Sequence, residues 1–186
     1  MGKWLRVTEE EKQEMLSELA AGTEVLLRAL DGVSDDEARH APAPDRWSVL
    51  ACVEHVAVVE EYLLARVLES VDAAEPFANA ARESRIRRFA PNRSRRIAAP
   101  EMVIPQGRFA TLAEAIRAYQ DSRAKTTRFV ESSTGDLRAK VATHPLLGQV
   151  TCYEMLLMMA AHPRRHAEQI GEVRRTSPGS AQSLSC

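Results

Sequence analysis

Two histidines, His162 and His166, stand four residues apart in the stretch Thr151–Val173, TCYEMLLMMAAHPRRHAEQIGEV. On a helix, residues at i and i+4 project from the same side about one turn apart, a bite suited to one divalent metal ion. Spacings of four and three trace an apolar seam through Met155, Met159, His162, His166, Gln169 and Val173. Thioethers thus give way to two imidazoles and an amide on a stripe that should be buried. Taken alone, the pair fits hydrogen-bonded or surface histidines as well as a metal site, since imidazole is accommodated at intermediate burial without any ion. A third ligand from elsewhere would decide between them.

His55 is the candidate. Ser48 can cap a helix running through LACVEHVAVVEEYLLARVLES, whose seam is Cys52, His55, Val59, Tyr62 or Leu63, and Arg66. With Cys52 a turn before and Val59 a turn after, His55 faces the interior of whatever this helix packs on. The competing reading is a core histidine bonded to a backbone carbonyl. Glu54, Glu60 and Glu61 are turned off that seam by their spacing, which predicts solvent-facing roles. Gln169 is either a hydrogen-bond partner for a ligand or a satisfied seam amide.

Two further helices complete the set. Thr8 with Glu11 forms a capping box ahead of Leu16, Leu19, Leu26 and Leu30, giving a helix over about residues 9–30 that Asp31-Gly32 stops. Thr111 with Glu114 opens another through Leu112, Ile116, Tyr119, Arg123, Thr126 and Val130. Arg123 lies on the inward seam there. It either snorkels or pairs with a carboxylate on a neighbouring helix, or it anchors an anionic substrate at the bundle mouth. Thr151 and Glu154 form a third box at the start of the histidine helix.

The connections are informative too. Residues 33–45 read as a link with a short helical turn, and 132–149 as another connection with no convincing strand pattern. Between about 72 and 109 lies a helical extension over 78–88 and an irregular run containing Pro76, Pro91, Pro100 and Pro105. A link of that length implies a crossover that leaves the second and third helices roughly parallel. Arg82, Arg85, Arg87, Arg88, Arg93, Arg95 and Arg96 crowd it, with Glu83 as the only acid between 82 and 96. Lacking aromatic interleaving and a reading helix, they are expected in a solvated loop or a subunit contact, not on nucleic acid.

Composition agrees with packed helices. The chain has 186 residues, 45% hydrophobic and 5% aromatic, which suits one helical core of Leu, Val, Ala and Met. A formal charge of -1 gives no global drive towards nucleic acid or an anionic membrane. Three widely spaced cysteines, Cys52, Cys152 and Cys186, suggest neither a disulfide framework nor a thiolate knuckle, and a reducing cytoplasm is expected. The N-terminus lacks an apolar signal core, and the longest apolar run, Met155–Ala161, is too short for a bilayer, so no membrane role is expected. One domain over 1–175 and a disordered tail over 176–186 complete the division.

Four amphipathic helices make an all-α four-helix bundle the economical answer. His55, His162 and His166 then converge from two neighbouring helices, the three-ligand arrangement that leaves a coordination position open. Pro163, directly after the first of the paired histidines, removes an N–H and crowds the carbonyl of Met159. A kink is expected, and a full break would take His162 out of its i, i+4 relation with His166.

The runs RWSVLACVEHV (Arg46–Val56), RIAAPEMVIPQGRF (Arg96–Phe109) and THPLLGQVTCYEMLLMMAAHPRRHAEQI (Thr143–Ile170) together resemble the DinB-like superfamily, over about residues 7–174. Most specific are the Trp-Ser helix start, a single His seven residues after that Ser, and the late H-x-x-R-H-x-x-Q. The resemblance implies a bundle of up-down-down-up topology, a homodimer, and nickel or zinc held by a triad at His55, His162 and His166. It also implies a metal-dependent transferase or hydrolase, with a low-molecular-weight thiol or another small molecule as substrate. Against this stand a non-catalytic metal-binding or dimerisation module of the same fold, and a metal-free bundle with structural histidines.

Overall fold

Each long helix begins where a side chain can replace a missing backbone partner. The computed structural model describes residues 6–74, 79–94, 96–134 and 136–176. Pro76, Arg95 and the tail from 177 onward lie outside that set, so the expected disorder falls on residues not described. Helix α1 (Glu9–Ala29) starts at Thr8, whose hydroxyl accepts from the Glu11 amide at 3.2 Å while Glu11 accepts from the Thr8 amide at 2.9 Å. After the short α2 (Asp35–Arg39), α3 (Val49–Leu68) is capped by Ser48 through the Ala51 amide at 3.1 Å. Strand β1 (Val71–Asp72) and α4 (Ala80–Phe89) follow. Helix α5 (Leu112–Ser132) carries the expected Thr111–Glu114 box, and Asp35 of α2 accepts from the Leu112 amide at 2.9 Å. Strands β2 (Lys140–His144) and β3 (Gly148–Thr151) lead into α6 (Cys152–Thr176), opened by the Thr151–Glu154 box at 2.9 and 3.0 Å.

Helix directions follow from which ends meet. Gly22 lies against Ala160, and the Arg174 guanidinium donates to the Ala29 carbonyl at 3.0 Å, so α1 and α6 run parallel. Thr23 bonds the Tyr119 hydroxyl at 2.9 Å and Lys12 reaches the Ser133 carbonyl at 3.4 Å, so α1 and α5 run antiparallel. Val49, Cys52 and Val53 from the start of α3 share one apolar cluster with Leu112 and Ala115 from the start of α5 and with Leu26, Leu30, Ile170 and Val173 from the ends of α1 and α6. Leu63, Val67, Val130, Met15 and Met155 share the other cluster at the opposite end. The four long helices therefore form the up-down-down-up bundle, with the crossover between α3 and α5 carrying β1 and α4.

The connection 132–149 departs from expectation. It holds a hairpin, β2 against β3, with β1 added on the outer side of β2 in an antiparallel sheet ordered β1-β2-β3. His144 pairs with Gly148 across a three-residue loop, and Gly148 has φ +68°, a conformation that costs a glycine little. The strands escaped notice for a physical reason. In β2 only Val141 is buried, too short an alternation to register as period two. The tail boundary also moves, because Thr176 is the last residue of α6.

Much of the arginine-rich crossover is fastened to the bundle. Arg87 pairs with Glu18 and donates to the Tyr153 hydroxyl at 2.9 Å, and Arg82 reaches Glu154 at 2.7 Å. Arg138, just before β2, lies between Glu83 and Glu11, each at 2.7 Å, with its guanidinium 4.1 Å from the Tyr153 ring centre. No helix among the described residues is long and apolar enough to cross a membrane.

Close approach of α1 to α6 requires Gly22, because a Cβ there would stand 2.5 Å from the Ala160 carbonyl oxygen. Both atoms belong to packed helices that cannot yield cheaply. Gly22→Ala is expected to cost about 1–3 kcal/mol despite its better helix propensity, measured by urea unfolding. An unchanged or raised midpoint would show that the two helices are free to separate.

Candidate metal centre

His55 is held by its neighbours in sequence as much as in space. It lies on α3, 5% exposed, and its Nδ1 donates to the Val103 carbonyl at 2.7 Å. A carbonyl only accepts, so the proton sits on Nδ1 and the Nε2 lone pair is left to face the interior. Val103 belongs to a single 3-10 turn, Glu101–Val103, in the strap that precedes α5. The adjacent Glu54 grips that strap: its two oxygens accept from the amides of Gln106 at 2.6 Å and Arg108 at 3.0 Å. Gly107 between them has φ +76°, which lets both amides turn to one carboxylate.

Here the solvent-facing expectation for Glu54 and Glu60 is corrected. Both are 2% exposed. Helix α3 packs on α5 and α6 and is covered by the strap, so a reading that assigned it one inward seam left out two of its neighbours. Glu61, at the edge, holds the Arg108 guanidinium through both oxygens at 2.6 and 3.2 Å. The bland reading of His55, a carbonyl-bonded core histidine, holds for Nδ1 and leaves Nε2 unassigned.

The other two imidazoles come from α6, which continues through Pro163 without a break. Ring centres of His162 and His166 are 4.4 Å apart, and His55 lies 5.1 Å from the first and 4.8 Å from the second. One nitrogen from each ring falls within 4.8 Å of the others, and the Nε2 atoms of His162 and His166 are 3.0 Å apart. Two nitrogens each at about 2.0–2.1 Å from one ion would be separated by roughly 2.9–3.4 Å for bite angles between a right angle and a tetrahedron. The observed pair fits that window. Trp47, just before the α3 cap, covers the group, with its ring 4.8 Å from His55 and 6.4 Å from His166.

All three rings are held neutral. Burial pushes the His55 pKa down, opposed by its bond to Val103. Burial drives His162 well below its ordinary range, helped by His166, His55 and the positive field of Arg123 and Arg165. Burial does the same to His166, with His55, Arg93 and Arg165 adding to it and Gln169 opposing. Neutral imidazole is the form that binds a metal. Nδ1 of His166 is buried without a hydrogen-bond partner, and Gln169, 8% exposed and one turn on, is the side chain placed to serve it. The donor set therefore fits a divalent transition-metal ion.

Pro163 would leave the Met159 carbonyl without its amide partner, and the fold supplies another. Arg123 of α5 donates to that carbonyl at 2.8 Å. The same nitrogen donates to Glu60 at 2.9 Å, and the other Glu60 oxygen accepts from Thr126 at 2.6 Å. Of the two roles weighed for Arg123, the structure gives it the carboxylate on a neighbouring helix. It is 5% exposed and is not among the residues lining the cavity described next, so the expectation of a substrate anchor at the mouth is not met.

A cavity of about 660 Å³ opens beside the imidazoles and is lined by all three of them, with Gln169. Val59, Leu63, Ile86 and Met158 form inner walls, while Asp45 is its only carboxylate among the described residues. Half-buried His162 faces this space. The sequence reading missed Trp47 as a wall, Val103 as the partner of His55 and the hairpin at the mouth; the Trp-Ser pair was the only one of these with a signal.

Comparisons with known proteins agree with the architecture. The family model of the DinB superfamily matches residues 18–170. The chain is 22% identical over 145 residues to YuaE, an uncharacterised protein of Bacillus subtilis, covering 78% of this chain and 88% of that one. Among solved structures it is similar to the four-helix bundle protein TT2238, with a TM-score of 0.55 and 19% identity, covering 87% of this chain and 98% of the other. It is also similar to YfiT from Bacillus subtilis, described as a probable metal-dependent hydrolase with an unusual four-helix bundle topology. There the TM-score is 0.58 and the identity 16%, covering 91% of this chain and 89% of YfiT.

If Arg123 replaces the amide that Pro163 lacks, the two residues are energetically coupled. Arg123→Met should cost about 3–5 kcal/mol by stranding the Glu60 charge. In a Pro163→Ala background, where residue 163 again offers an N–H, that cost should fall by about 1–2 kcal/mol. Additive losses in urea titrations would remove the link.

Acid should act through the three histidines. Their ordinary pKa is 6.5, and all three are depressed in the folded chain. Below that value the unfolded chain binds protons that the folded site refuses, so stability is complete above it and declines as pH falls towards the depressed values. Between pH 7 and 5, with chelator present, the unfolding midpoint should drop more steeply for the native sequence than for a His55→Gln/His162→Gln/His166→Gln variant. Equal slopes would place the acid sensitivity elsewhere.

Proposed function

Because the chain belongs to the DinB superfamily and gathers three neutral imidazoles at one wall of a cavity, we propose that it is a metal-dependent enzyme of the transferase or hydrolase type. His55, His162 and His166 are the ligands, and nickel or zinc is the ion. The observation that carries this reading is the donor set itself: three lone pairs from two helices, each ring kept neutral by burial. The likeness to YfiT, described as a probable metal-dependent hydrolase, points the same way. When bound, such an ion polarises a substrate oxygen and lowers the pKa of a coordinated water or thiol into the neutral range.

The chain's own residues divide the remaining work. His55 is oriented by Val103, His162 and His166 by the unbroken α6, and Trp47 screens the rings from water on one side. Among the described residues no carboxylate joins the cluster of ring nitrogens to take a proton. Glu54 and Glu60 are committed to the strap and to Arg123, and Asp45 is the only acid lining the cavity among the described residues. A hydrolase ordinarily positions a base within hydrogen-bond reach of its water. A nucleophile ionised by the metal needs no such base, so the site is compatible with a low-molecular-weight thiol as well as with water. The alternative, a metal-binding module without catalysis, does not account for a cavity of this size beside the ligands.

Protein purified without a histidine tag should carry about one nickel or zinc ion per chain by elemental analysis. His55→Ala, His162→Ala and His166→Ala should each lower that content at least tenfold under the same dialysis, roughly the least expected for losing one of three ligands. Undiminished metal in the variants would overturn the ligand assignment.

A further inference from the structure

The cavity has two properties beyond its imidazole wall. Its outer walls are apolar and open: Phe89, Ile97, Leu146 and Leu147, between 54% and 63% exposed, all line it. Large apolar side chains left in solvent around one concavity mark a binding surface more often than scattered single exposures do. They come from three separate segments, α4, the strap and the β2–β3 loop, so their gathering is a product of the fold and not of local sequence.

The second property is charge. Among the described residues six arginines line the cavity, Arg46, Arg82, Arg85, Arg93, Arg96 and Arg165, against the single acid Asp45. The whole chain has a formal charge of -1, so this concentration is local. Four of the six are engaged within the protein. Arg82 is held by Glu154, Arg46 and Arg93 converge on Glu172, and Arg165 donates to the Asn92 carbonyl. Arg85 and Arg96 differ. Both are exposed, and among the described residues neither makes a hydrogen bond or an ion pair.

We propose that the cavity takes an amphiphilic anion, a small molecule with an apolar body and one carboxylate or comparable acidic group, and that Arg85 and Arg96 read the acidic group. The inference rests on the functional reading above only in taking this cavity as the substrate's entrance. A volume of about 660 Å³ suits a small molecule and not a polymer. The cationic groups ring a concave apolar space instead of forming the open basic face that a nucleic acid would need. Guanidinium is also the cation best matched to a planar carboxylate, which it can hold through two parallel hydrogen bonds. The apolar body would lie against Ile86, Met158 and Leu63, with its far end towards the histidines.

Three ten-carbon probes separate charge from hydrophobicity: decanoate, decanol and decyltrimethylammonium, titrated by calorimetry into zinc-loaded protein. Decanoate should bind about fivefold or more tightly than decanol, and the cation most weakly, the size expected from two solvent-accessible charge pairs. Arg85→Gln/Arg96→Gln should bring decanoate down to decanol while leaving decanol binding and zinc content unchanged. Arg85→Lys/Arg96→Lys, which keeps both charges, should retain most of the preference and so controls for damage to the fold. Chelated native protein should retain it as well. Equal binding of the three probes to the native protein would overturn the proposal. So would a decanoate preference that survives the glutamine variant but vanishes with chelator, because the ion and not the arginines would then be reading the carboxylate. If the protein retains no zinc yet still prefers decanoate through Arg85 and Arg96, the metal reading falls and the amphiphile site stands.

Discussion

A carbonyl in the middle of a buried helix must find a donor, and at Met159 the backbone cannot provide one, because Pro163 occupies the position four residues on. Arg123 meets that demand from α5, Glu60 on α3 neutralises Arg123, and Gly22 on α1 leaves room for the adjoining Ala160 carbonyl. Three helices are thereby tied to a fourth at the turn that carries His162. Without this arrangement, His162 and His166 would depend on a helix with a gap between them. The buried Glu60–Arg123 pair is best understood through that role, since a buried ion pair by itself is weak evidence of stabilisation.

The same economy governs the opposite wall of the site. Glu54 and His55 are consecutive on α3, and both are spent on the strap that runs into α5, one through its carboxylate and one through Nδ1. Fixing the strap fixes the tautomer. An imidazole whose outward nitrogen is committed to a carbonyl has one available lone pair, in a known direction. Burial then completes the preparation of all three rings by making the protonated state costly, so the group is held as lone-pair donors before any ligand arrives.

What could be read from the sequence follows the range of the interactions involved. Thr8–Glu11, Thr111–Glu114 and Thr151–Glu154 are local devices, three residues from end to end, and each starts a helix where its spacing says it should. The seam of α6 likewise put His162 and His166 together because helical geometry relates them directly. The hairpin was missed because its strands are short and only Val141 of β2 is buried, so the pattern that identifies strands barely repeats. Glu54 and Glu60 were misplaced because their partners lie 52 residues or more away along the chain, at Gln106, Arg108, Arg123 and Thr126, and no periodicity within α3 refers to them. Polar residues buried by distant neighbours look in sequence like polar residues in water.

The parallel pairing of α1 with α6 sets the order in which the molecule can be assembled. Met15, Leu19 and Leu26 share their apolar clusters with the last helix of the bundle, and that helix also supplies two of the three imidazoles. Until α6 is made, α1 can pack only against α5, and closure must wait for a contact between the two extremes of the bundle. A nascent chain of this design therefore keeps part of its apolar surface uncovered until α6 is made, and its three imidazoles come together only with that last long helix.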